Sequence, residues 1–192
     1  MKNQLITFLL SLIFLIGCGQ NTPDSTEEDV KIPAESGNGI DAEKRIEDAG
    51  ITLIMPNPPT ANYLKAKRVG NMVYLAGHGP DRPDGSQVIG KLGSDLSLEE
   101  GVEAARFTGI SLLSSLKAEI GDLNKVKNIV RAQGMVNADP SFIQHSQVIN
   151  GFSDLMVEVF GEKGKHARAA IGMSSLPNNI AVEIDMIVEI TD

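Results

Sequence analysis

Arg168 and Glu183 are the side chains of this 192-residue sequence whose types and setting could do chemistry together. A guanidinium is a permanently charged, planar fork of donors that fits a carboxylate. A carboxyl group can carry a proton when its surroundings allow both forms. The two flank the turn Pro177-Asn178-Asn179, in runs of alternating apolar and small or polar residues that read as two strands of a terminal hairpin. In the second run Val182, Ile184, Met186, Val188 and Ile190 share a buried face, and Glu183, Asp185, Ile187 and Glu189 share the other. In the first run Ile171 and Met173 share a face, which sends Arg168, Ala170 and Gly172 the opposite way. Arg168 and Glu183 are therefore expected on the sheet face away from the main apolar layer, in a register that one sequence does not fix.

Other reactive residue types are sparse. Cys18 is the sole cysteine, so no intrachain disulfide and no thiol role elsewhere is expected. His78, His145 and His166 are far apart and lack metal-ligand spacing. His78 is expected to be a residue of the loop Gly77 to Gly85. That loop has neither the lysine nor the strand-loop-helix context of a phosphate cradle. A net charge of −8 argues against a nucleic-acid partner, which needs a basic surface or stripe. Lys65-Ala66-Lys67-Arg68 is expected to be the solvated beginning of a strand.

The elements that must position these residues lie in the second part of the chain. Residues 1–17 form a lysine-bearing start and an apolar run, Leu5 to Ile16, too short to span a bilayer comfortably and suited to a signal peptide. Leu15-Ile16-Gly17-Cys18 resembles a bacterial lipobox, so Cys18 is the expected lipidation site and the chain an exported, membrane-anchored lipoprotein of the cell envelope. An ordinary cleaved signal with a chance cysteine is the other reading. Residues 18–41 are polar and poor in apolar side chains, the composition of a flexible tether. Residues 42–192 are one domain, with a 42% hydrophobic chain able to supply its core.

Within that domain Ala42 to Ala49 predicts a short helix, and the prolines at 56, 58 and 59 predict an extended loop leading to Tyr63. Strands are predicted over Ala66–Val69 and Met72–Ala76 around Gly70-Asn71, with a third over Gln87–Lys91. Ser97 and Glu100 form a capping box for a helix that runs to Ile120 and stops at Gly121. A strand over Val126–Val136 and a helix from Gln144 to Phe160 follow, with Asn150 off that helix's apolar stripe. The order predicts an α+β fold, a mixed sheet with two helices packed on one face. The other face, expected to carry Arg168 and Glu183 with Ala170, Gly172 and Ile187, is expected to be buried between subunits.

Three stretches resemble the reactive intermediate deaminase family, RidA/YjgF: Arg168 to Asp185 (Arg-x-x-Ile-x-Met-x-x-Leu-Pro-x-x-x-x-Val-Glu-Ile-Asp), Val69 to Gly77, and the Asn150 helix ending at Phe160. The resemblance spans about Ile51 to Ile190. It implies a chorismate-mutase-like fold, a homotrimer with clefts between subunits, and hydrolysis of enamines and imines such as 2-aminoacrylate to a 2-oxo acid and ammonia. It implies no metal and no organic cofactor. By the same resemblance Arg168 binds the substrate carboxylate and Glu183 positions water or moves a proton. The resemblance also implies that Tyr63, matching the tyrosine after the N-terminal loop, is a third catalytic residue and that Asn150 lines the cleft as a substrate contact, with a binding role left for the Ala170 carbonyl. An adjacent guanidinium would keep Glu183 ionised until substrate neutralised it. Ala169 and Ala170 depart from the hydroxyl residue and cysteine often found there in relatives. The alternatives are a non-catalytic module binding small carboxylates or keto acids in the same clefts, and a ribonuclease, which the acidic charge opposes.

Overall fold

The computed structural model describes residues 39–191 except 57 and 60. The signal-peptide and Cys18 readings, and the tether up to residue 38, fall outside the described residues; of residues 39–41, Asp41 caps the helix that follows it by accepting from Lys44 N at 3.0 Å. In chain order the elements are helix α1 (Ala42–Asp48), strands β1 (Ala66–Val69) and β2 (Met72–His78), helix α2 (Leu98–Ile120), strand β3 (Val126–Asn137), helix α3 (His145–Phe160), and strands β4 (Ala167–Met173) and β5 (Val182–Ile190). The strands form one mixed sheet in the order β1-β2-β5-β3-β4. Helix α2 packs on β2 and β5, and α3 on β3 and β4, so both long helices cover the same face, with α1 against α3.

Local chemistry sets these bounds. The Ser97 hydroxyl accepts from Glu100 N at 3.2 Å, and the Glu100 carboxylate accepts from Ser97 N at 2.8 Å, which starts α2. Gly121, at φ 81°, ends it. Thr108, Ser111 and Ser114 are buried in α2, and each hydroxyl donates to the carbonyl four residues earlier. The Ser114 hydroxyl also accepts from Ile54 N at 3.1 Å, which ties the extended segment across the outside of the helix. Helices α2 and α3 cross closely because position 151 is glycine: a Cβ there would stand 2.0 Å from the Val102 carbonyl oxygen.

β5 carries the alternation read from its sequence, with Val182, Ile184, Met186, Val188 and Ile190 all buried under the helices. The expected terminal hairpin does not form. β5 pairs with β2 and β3, and β4 lies beyond β3, parallel to it. The cause is α3: a strand-helix-strand crossover brings β4 back beside β3 in the same direction. The chain then passes the end of β3, where Asn137 Nδ2 donates to Asn179 Oδ1 (2.9 Å) and Ile180 O (3.1 Å). The expected strand over Gln87–Lys91 is also absent; only isolated bridges, Asp81 to Gln87 and Ile89 to Ile180, occur there.

Parity in β4 is inverted relative to the expected apolar layer. Arg168 pairs with Ala132, Ala170 with Gly134 and Gly172 with Val136, and all three β3 partners are buried beneath the helices. Arg168, Ala170 and Gly172 therefore face α3, while Ile171 and Met173 point to the open face. Small residues are needed under α3: a Cβ at Gly134 would stand 2.5 Å from Ile149. Glu183 pairs with Met135 and does face the open side. Within one chain Arg168 and Glu183 lie on opposite faces of the sheet, so the shared face is corrected.

Candidate functional site

The first half of the candidate site is built where β4 meets α3. Asn150 lies off the apolar stripe of α3, and one turn later Ser153 lies beside it. Arg168 Nη1 donates to Asn150 Oδ1 and to Ser153 Oγ, both at 2.9 Å, and Nη2 donates to Ser146 O at 3.3 Å. Arg168 and Asn150, both singled out from sequence, are thus in direct contact. A guanidinium has five N–H donors. With Nη1 spent on α3 and Nη2 half spent, Nε–H and one Nη2–H have no partner among the described residues. Arg168 is exposed at the sheet edge, so these two donors are open to a carboxylate.

Ser153 and His166 were not singled out from sequence. His166 Nδ1 donates to Gly164 O at 2.7 Å, its Nε2 lies 3.2 Å from Ser153 Oγ, and its ring meets Phe152 edge-on at 5.3 Å. Burial lowers the titration of His166, with the nearby Arg168 charge adding to the effect and the Gly164 carbonyl opposing it. The available signal was spacing: Ser153 is a helical turn from Asn150, and His166 two residues before Arg168.

The second half is on the open face. Glu183, Asp185, Ile187 and Glu189 project there from β5, beside Tyr74 of β2 and Met135 of β3. Glu183 lies against Gly77, where a Cβ would stand 2.0 Å from its Oε1. Among the described residues its carboxylate has neither a hydrogen bond nor an ion pair. Burial pushes the Glu183 carboxyl above the ordinary range, and the Asp185 charge pushes it further. Asp185 is also raised by burial, with Arg131 opposing. The expected guanidinium restraint on Glu183 is not present within one chain, because Arg168 is on the other face.

Tyr63 is exposed before β1, and its hydroxyl has no hydrogen bond among the described residues. Nothing brings it against Arg168. It precedes β1 at the end of the sheet where Glu183 lies, since Ala76 N donates to Lys65 O and His78 pairs with Ile184. Ala170 shares the face of Arg168 at the margin of the core. His78 is corrected: it ends β2, is 3% exposed, and bonds Ala76 O and Ser115 Oγ at 2.7 Å each. Two hollows among the described residues, about 770 Å³ beside α1 and about 450 Å³ along Leu53 to Pro56, include neither Arg168 nor Glu183. Among the described residues no histidine, cysteine and carboxylate cluster could hold a metal, and no helix is long and apolar enough to cross a membrane.

An arginine fork lies on one face of the sheet, and on the other a carboxyl whose titration burial raises. Comparison with known proteins gives the class of the chain. Residues 43–190 match the family described as "YjgF/chorismate_mutase-like, putative endoribonuclease". Protein TCP17 of Trypanosoma cruzi is 38% identical over 148 residues, covering 77% of this chain and 92% of that protein. The crystal structure of Atu1372 from Agrobacterium tumefaciens, a protein of unknown function, is similar at 39% identity and a TM-score of 0.73, covering 78% of this chain and 92% of that one. That of an endoribonuclease-named protein from Shewanella oneidensis is similar at 30% identity and a TM-score of 0.75, covering 78% and 99%. The chain belongs to the YjgF/RidA family, and its mixed sheet with helices on one face is the YjgF/chorismate-mutase-like fold.

Proposed function

We propose that this protein hydrolyses reactive enamines and imines of the 2-aminoacrylate class to 2-oxo acids and ammonia, in clefts completed by neighbouring copies of a homotrimer. The observation that carries the reading is Arg168: three N–H groups anchored on α3 and two left open at the sheet edge. A fork fixed in this way binds a carboxylate directionally. The open face of a second copy supplies what Arg168's own face lacks. There Glu183, set between Gly77 and Met135 on a face that also carries Ile171, Ile187 and Tyr74, has its carboxyl raised above the ordinary range by burial and by Asp185.

Each residue then has a step. Arg168 and Asn150 take the substrate carboxylate, and Tyr63 and the Ala170 carbonyl border it. Protonated Glu183 gives its proton to the terminal carbon of the enamine, whose C=C pair forms that C–H bond as the nitrogen's pair forms C=N. The resulting carboxylate draws a proton from water as the water oxygen bonds to the imine carbon. Glu183 then passes that proton to the adduct's nitrogen, and as the C–N pair leaves with ammonia the adduct's hydroxyl oxygen forms C=O and returns its proton to Glu183. Enamine and water balance with 2-oxo acid and ammonia, with no cofactor consumed.

Ala169 and Ala170 favour one other reading, a carboxylate-binding module without turnover, because they lack the hydroxyl and thiol groups of many relatives. Ammonia release from enzymatically generated 2-aminoacrylate separates the two. Release above the buffer control that is lost in Arg168→Ala supports hydrolysis. Release equal to buffer, with retained binding of 2-oxobutyrate, supports the module. At the start of the chain, Cys18 is proposed as a lipid-bearing residue that anchors an exported protein.

A further inference from the structure

Behind Arg168 stands a chain of hydrogen bonds with only one consistent direction. Gly164 O can only accept, so the 2.7 Å contact fixes the proton on His166 Nδ1. In the neutral ring Nε2 is then an acceptor, and the neighbouring Ser153 hydroxyl donates to it across 3.2 Å. With its proton committed, Ser153 Oγ presents lone pairs, one of which takes the Arg168 Nη1–H at 2.9 Å. The direction runs from Arg168 to Ser153 to His166. The ring itself is held by the edge contact with Phe152. We propose that Ser153 and neutral His166 are positioning residues that hold Arg168 with its two free donors turned outward for a carboxylate.

The proposal rests on Arg168 being the carboxylate fork. It adds a dependence on the charge of a residue that never touches the ligand. A protonated His166 would turn an N–H toward Ser153 Oγ. The hydroxyl would lose its acceptor, and a second cation would stand one hydroxyl away from the guanidinium. The surroundings disfavour that state, as the lowered titration of His166 reflects. The charged side chains on the elements around it are Arg168 on β4, Lys127 and Arg131 on β3, Asp154 and Glu158 on α3, and Glu162, Lys163 and Lys165 on the turn before β4. Of these Lys127 pairs with Glu189, Glu158 with Arg106 and Lys165 with Glu162, and Arg168 is the one that shifts His166. The Ser153 oxygen would then accept from both cations and their repulsion would loosen the fork, while the imidazolium, behind the guanidinium as seen by a ligand, adds little attraction.

The test is the Kd of the full protein for 2-oxobutyrate at about pH 7.5 and about pH 5, on either side of the ordinary histidine range. Ser153→Ala and His166→Phe, which keeps a ring against Phe152, are expected to bind about ten-fold more weakly at the higher pH, the loss expected for one hydrogen bond to a charged group. Ser153→Thr, which keeps the hydroxyl, is expected to restore binding. In turnover the loss is expected in KM rather than kcat, because the carboxylate is held equally in ground and transition states. Glu183 and Asp185 titrate in the same cleft, so the expected mark of His166 is that wild type loses more affinity, or gains less, on acidification than His166→Phe does. Wild-type affinity in Ser153→Ala and His166→Phe at the higher pH overturns the positioning role, and an identical pH dependence in wild type and His166→Phe overturns the dependence on the His166 charge. Absence of binding in wild type, or binding untouched by Arg168→Ala, instead overturns the carboxylate reading. In that event NMR of the ligand-free protein still decides the relay. His166 with its proton on Nδ1, and an Arg168 Nε–H signal that Ser153→Ala broadens, support it; an Nε2–H tautomer or an unchanged Arg168 signal refutes it.

Discussion

At the scale of single residues, the two halves of the site differ in how their chemistry is tuned. Arg168 is fixed by hydrogen bonds to its own chain, whereas Glu183 is tuned by burial and by Asp185. A raised carboxyl makes a sign-definite prediction. With the folded pKa above the unfolded value, the associated stability is present at low pH and declines as pH rises from the ordinary glutamate range through the raised one. Glu183→Gln should therefore raise the Tm at neutral pH, and the gain should vanish on acidification below the ordinary glutamate range. A Tm difference independent of pH would mean that Glu183 is an ordinary solvated carboxylate. In turnover the same substitution should cost about 10² to 10⁴ in kcat, the usual worth of a placed acid-base. Ammonia release measures it, and unchanged turnover would remove Glu183 from the chemistry. Gly77→Ala should give a milder loss by displacing the Glu183 carboxylate from the space that a Cβ would fill.

At the scale of elements, the crossing of α2 over α3 holds Asn150 and Ser153 against β4. Gly151→Ala would drive a methyl into the Val102 carbonyl, and overpacking of this kind costs about 1 to 3 kcal/mol. Chemical denaturation should show that loss with an unchanged m-value; a neutral result would mean the helices part easily. Elements whose signals are local were legible in the sequence: the capping box of α2, the glycine that ends it, the Gly70-Asn71 hairpin, and the strict alternation of β5. Pairing was not. The turn at Pro177 to Asn179 looks like a hairpin locally, but the partner of β4 is chosen by the α3 crossover, a long-range effect. The apolar alternation of β4 misled for a related reason. On this edge strand the larger apolar residues, Ile171 and Met173, face the open side, and the small ones lie under α3. Asn150 was legible because it breaks a helical stripe. Ser153 and His166 were not, because a serine or histidine acquires meaning only from what it faces.

At the scale of the whole molecule, the sheet separates Arg168 from Glu183, and a site using both requires two copies of the chain. The open face has the character for that contact, with Ile171 41% and Tyr74 46% exposed beside partly buried carboxylates. Closed rings of three or more copies place one surface of each copy against a different surface of the next. In such a trimer every cleft would take Arg168 from one copy and Glu183 from its neighbour. The measurement that tests this most directly is ammonia release from 2-aminoacrylate by Arg168→Ala and Glu183→Gln proteins, first alone and then unfolded together and refolded at equal amounts. Each alone should be inactive, and random mixing should restore intact clefts to about one quarter of the wild-type number, with activity to match. Mixed trimers that form but release no more ammonia than the separate variants would contradict a cleft shared between copies.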